Sequence, residues 1–197
     1  MSTISLATLE SDRLAAKAAF LERIEKFKSS DPAGKRVMIA QDVIDQVLAK
    51  KYVPQAGVWA RIELTRRAEE NEQVCDLISA PGVECTCCAL GAMMLSEIGI
   101  NDDLNAGQVD IGDERVGIRF RGSKGGGHRL EEFFDYDQLQ LIEIAFELGN
   151  GEWSQWSLEE REPGDRAVDF GCAFGSKDKR LIAIMENIIT NNGKFVP

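Results

Sequence analysis

Three thiols stand within four positions at Cys85-Thr86-Cys87-Cys88, directly ahead of Ala89-Leu90-Gly91-Ala92. The stretch reads as a helix start. Free amides at a helix start favour negative charge, so a cysteine there can be held as thiolate, the nucleophile of cysteine enzymes. Such a thiolate needs a base, and His128 is the single histidine of the chain. It follows Gly125-Gly126-Gly127, a segment able to swing it toward the thiols. Asp135 or Asp137 could orient its ring. The catalytic set that the sequence offers is therefore Cys88, His128 and Asp135, for a hydrolase or transferase. Against it stands a plainer reading. Cysteine is among the most buried residue types and packs as a small apolar side chain. Gly91 and Ala92 point to close packing at the same place. The packing reading is preferred.

A structural zinc needs four ligands. Cys75, Cys85, Cys87 or Cys88, and His128 could be assembled on paper, but not at the paired spacing of familiar zinc modules. No metal and no cofactor are expected. The loop Gly122-Ser123-Lys124-Gly125-Gly126-Gly127 invites a phosphate, yet its Lys precedes the glycines, the reverse of the nucleotide-binding order. Arg115, Arg119, Arg121, Lys124 and Arg129 form the one basic cluster of the second half. They are candidates for binding a small anionic, phosphorylated ligand, as in a sensor. Trp59, Trp153 and Trp156 are candidate anchors or contact residues.

Charge narrows the partners. The chain holds 33 acidic and 23 basic residues among 197, a net of −10. Residues 1–98 carry a net of −2 and residues 99–197 a net of −8. Such a surface repels phosphate backbones, so direct nucleic-acid binding is not expected. A mimic of nucleic acid is the opposite possibility. The longest uncharged run, Cys85–Ser96, has 12 residues, where a membrane helix needs about 20. No membrane association is expected. The odd count of 5 cysteines and the absence of a basic-then-apolar start predict a cytoplasmic protein with reduced thiols.

The positioning elements follow from periodicity. Leu9–Phe27 reads as an amphipathic helix, ended by Ser30-Asp31-Pro32-Ala33-Gly34. Ala40, Val43, Ile44, Val47 and Leu48 mark a second helix, ended by Pro54 and Gly57. Val58–Leu64 alternates as a strand, with Trp59 on the face opposite Ile62. Arg66–Ser79 reads as a loop with a short helix. Thr86–Ile98 reads as a helix stopped by Gly99. Val116–Phe120 is a second strand. Asp135 with Gln138 resembles a capping box opening a helix through Leu148. Gly149–Asp165 reads as polar loop, and Ser176 as the cap of the last helix. Two strands make a poor sheet, so a third is expected in Lys35–Ile39, Gln108–Ile111 or Ala167–Phe174. The fold class is α+β: a mostly helical single domain, 35–197, with a small antiparallel sheet, preceded by a helical arm, 1–30.

The segment Asp42–Ala92, with Cys88-Ala89-Leu90-Gly91-Ala92 opening a helix, resembles a family of small uncharacterised bacterial and phage proteins. The closing Ile182–Ile189 and Asn192–Pro197 resemble the tails of such proteins. The resemblance implies a microbial or viral origin and carries no activity to transfer.

Together these readings predict a non-catalytic, protein-binding accessory or host-modulating factor. Its partner would be a protein, such as one that normally binds nucleic acid. Residues 1–30 could serve as a docking arm or join copies into a homo-oligomer.

Overall fold

The computed structural model describes residues 6–64, 66, 68–101, 104–106, 117–120, 127–149 and 158–197. Its elements run α1 (Leu6–Ser29), α2 (Pro32–Leu48), β1 (Tyr52–Pro54), β2 (Ala60–Glu63), α3 (Val74–Ser79), β3 (Glu84–Cys87), α4 (Ala89–Asn101), β4 (Gly117–Phe120), α5 (Gly127–Glu131), α6 (Tyr136–Glu147), α7 (Leu158–Cys172) and α8 (Lys177–Thr190). This is a mostly helical α+β fold.

The helix α4 is the hub. Ala89–Ile98 and Ile100 are all buried, and Gly99 between them is partly buried. A helix that is apolar all round has to be covered all round, and α4 packs on α1, α2, α3, α5, α6 and the sheet. The α2 helix is of the other kind, with one stripe, Ile39, Ala40, Val43, Ile44 and Val47, turned inward. Asp31 caps its start, accepting the Gly34 amide at 2.7 Å, with Pro32 at the first helical position, where its missing N–H costs nothing. Ser176 caps α8 in the same way, through the Lys179 amide.

The described strands form one sheet in the order β1-β3-β2-β4. β2 pairs antiparallel with β3 and with β4, while β1 pairs parallel with β3. The expected antiparallel sheet is thus a mixed one. The extra strands come from Tyr52–Pro54 and Glu84–Cys87. Lys35–Ile39 is helical, Ala167–Cys172 belongs to α7, and Gln108–Ile111 lies outside the described residues. A parallel pair needs a long crossover, and residues 55–83 supply it, carrying β2 and α3 on the way. The thiol-rich stretch is therefore an inner strand of the sheet rather than the first turn of a helix. Its register aligns Cys85 with Tyr52 and Ile62, and Cys87 with Pro54 and Ala60. Cys85 and Cys87 are wholly buried.

Three further boundaries differ from the sequence reading. Gly99 does not stop α4, which runs on to Asn101. α7 occupies residues expected in a polar loop. Asp135 does stand at the N-cap of α6 but makes no side-chain cap bond. Gln138 is engaged elsewhere: it accepts from the Phe195 amide at 2.7 Å and donates to the Phe195 carbonyl at 3.2 Å. That pair ties the C-terminal tail to α6.

The end of the arm is part of the core. Ile24 and Phe27 of α1 are buried, and Arg23 pairs with the buried Asp42 of α2 at 2.5 Å. Leu14 and Leu21, on another face of α1, are exposed.

Candidate functional site

The segment 55–59 crosses over the start of α4 and is stitched to it. Gln55 donates its amide to the Cys87 carbonyl at 2.8 Å, and Cys88 donates its own to Val58 at 2.5 Å and to Trp59 at 3.2 Å. Gly57 sits in the left-handed region, φ +74°, which a residue without Cβ occupies freely. Its amide meets both carboxylate oxygens of Glu147 from α6, each at 3.0 Å. The crossing is so close that a Cβ on Gly91 would collide with the Trp59 carbonyl. Gly91 is thus required by packing, as its place beside Ala92 suggests.

Between this segment, the start of α4 and the flank of α6 lies an open cavity of about 420 Å³. Ala56, Gly57, Val58, Trp59, Cys88, Glu143 and Glu147 line it. Cys88 is almost fully buried. Burial pushes its thiol up to about 12; the Leu90 and Gly91 amides pull down, and the charges of Glu147 and Glu143 push up. The helix-start effect is present but loses to desolvation and to two nearby carboxylates. Cys85 is likewise pushed up to about 12 by burial, and Cys87 well above its ordinary value.

The two carboxyls are themselves perturbed. Glu143 is raised by burial and by Glu147. Glu147 is raised by burial, against the pull of the Gly57 amide and of Lys177 and Arg180. Glu143 lies at the rim with much of its side chain in water, while Glu147 is 9% exposed. They stand four residues apart on one helix face, where like charges repel.

Of the expected catalytic and anion-binding residues, Cys88 alone is among those that line the cavity. Asp135 is exposed at the start of α6, and is not among the lining residues. His128 contributes its backbone to α5, and its side chain lies outside what is described. Of the basic cluster, Arg119 lies on β4, with only its backbone described, opposite Arg61 in register. Arg115, Arg121 and Lys124 lie outside the described residues, as do Trp153 and Trp156. Arg129 is spent inside the fold, gripping the buried Glu97 of α4 at 2.8 and 3.0 Å. Among the described residues no group of three or more His, Cys, Asp and Glu could hold a metal ion, and no helix is long and apolar enough to cross a membrane.

Sequence reasoning missed Glu143 and Glu147. The signal was present, because they continue the i, i+4, i+8 row that begins at Leu139, at the edge of the apolar stripe Leu139, Ile142 and Phe146. Acidic residues on a packed flank mark either a buried pair or an unfilled site.

No protein-family model, no curated protein and no solved structure matches this chain.

Proposed function

We propose that this protein is a non-catalytic binding protein whose partner is a basic protein. The observation that carries the reading is the cavity above α4: a thiol kept protonated beside two carboxylates, with no described cationic side chain lining it. A thiol at about 12 is a poor nucleophile at neutral pH, which speaks against the cysteine hydrolase built on Cys88, His128 and Asp135. Two adjoining carboxylates repel an anionic ligand and attract a cation. The net charge of −10 extends the same preference over the molecule and speeds encounter with a positive partner.

The test is calorimetry of the whole chain with an end-blocked, Lys/Arg-rich peptide of about a dozen residues, at low salt where electrostatic attraction is least screened. Saturable binding that weakens with added salt and raises the melting temperature supports the reading. Absence of binding to the basic peptide at low salt overturns it.

A further inference from the structure

We propose that the cavity beneath segment 55–59 receives a single arginine side chain of the basic partner, its guanidinium lying against Trp59 and paired with Glu143 and Glu147; this deepens the reading above and rests on it.

The walls select the ligand. Ala56, Val58, Trp59 and Cys88 share the lining with Glu143 and Glu147. A largely apolar lining that carries two acceptors suits a group that is cationic, flat and weakly hydrated. Guanidinium is such a group: it stacks on aromatic faces and presents parallel N–H donors to a carboxylate. An ammonium keeps its water more tightly and gains less from the indole. A neutral ligand would leave the two like charges on α6 unrelieved.

Among the described residues no cationic side chain lines the cavity. The charges of Lys177 and Arg180 act on Glu147 without an ion pair to it, and Arg180 donates instead to the carbonyls of Phe146, at 2.8 Å, and Gly171, at 3.1 Å. Glu147 is fixed in place by Gly57, leaving lone pairs on both oxygens beyond that shared amide. Glu143, at the rim, makes no ion pair with any described residue and is free to close over an incoming side chain. A second unmet demand sits in the same wall. Trp59 Nε1 is sealed from water and has no hydrogen-bond partner, so the indole is placed by its ring and not by its N–H.

Three end-blocked lysine-rich peptides, alike except for one central Arg, Lys or citrulline, distinguish the outcomes. Calorimetry should rank them Arg over Lys by about tenfold, the effect of an indole contact with a desolvated cation, and citrulline weakest. Glu143→Gln should weaken the Arg peptide and erase its advantage over the Lys peptide, whereas Glu186→Gln, on the exposed face of α8, should leave the ranking unchanged. Equal affinity for all three peptides overturns the arginine site while leaving a basic partner in place. Failure of all three to bind overturns both readings. Loss of the Arg preference in Glu186→Gln would also overturn the site, because the preference would then belong to overall charge.

Discussion

Glu147 accepts the Gly57 amide on both carboxylate oxygens at 3.0 Å, and this one contact joins α6 to the segment that roofs the cavity. Burial raises Glu147 and Glu143 above the ordinary 4.5. The folded protein therefore holds protons there more tightly than the unfolded chain. Between 4.5 and the raised folded values, these two groups contribute stability that grows as pH falls. Urea unfolding of the native chain from pH 7.5 downward should show this trend, and Glu143→Gln/Glu147→Gln should flatten it. An equal slope in both proteins would refute the assignment, since net-charge relief alone would then account for it. Glu72 works the other way. Its bonds to Arg66 and to the Glu69 amide hold it down at about 2, so its contribution is lost only in stronger acid.

Cys88 should be slow toward iodoacetamide at neutral pH. Its thiol stands at about 12, and Cys85 and Cys87 are buried. Cys172, the exposed thiol, should be carboxamidomethylated first. Peptide mass mapping against time reads the order directly. Cys88 reacting ahead of Cys172 would revive a nucleophilic role.

Two glycines of α4 should answer the same substitution with opposite signs. Gly91→Ala drives a Cβ into the Trp59 carbonyl, and backbone cannot step aside as a rotamer can. A loss of about 3 kcal/mol is expected, the upper end for overpacking. Gly99 has nothing within 4 Å of an added Cβ and lies inside the helix, so Gly99→Ala should gain about 0.5–1 kcal/mol. Denaturant midpoints at equal slope are the measurement. Stabilisation by Gly91→Ala would show that the crossing is looser than described.

What the sequence made legible is what short-range pattern carries. The stripes of α2 and α8, the Asp31–Gly34 break and the Ser176 cap all follow from spacing or from a cap's chemistry. The strand at Glu84–Cys87 escaped because Cys-Thr-Cys-Cys abuts a real helix start, and a short apolar run has no period of its own. Its identity as a strand is fixed by Tyr52 and Ile62, which flank Cys85 from distant parts of the chain. The cavity escaped for the same reason: Trp59, Cys88 and Glu147 meet only through tertiary packing. The arm boundary is a related case. Deleting residues 1–30 would strip Ile24 and Phe27 from the core along with the exposed Leu14 and Leu21.

Arg129 offers the last test, because a basic cluster on paper proves to be partly interior. It grips Glu97, which is 1% exposed in the middle of α4. A buried pair gains little over apolar side chains, but removing Arg129 leaves the buried Glu97 carboxylate without that cation, although Asn101 still donates to it at 3.2 Å. Arg129→Met should therefore cost about 3 kcal/mol or more, and Arg129→Met/Glu97→Met should recover much of that loss, since the double variant leaves no charge behind. The coupling between the two substitutions, read from a double-mutant cycle in urea, should be large, the loss in the double variant falling well short of the sum of the two single losses. Additive losses would mean that Arg129 and Glu97 act independently.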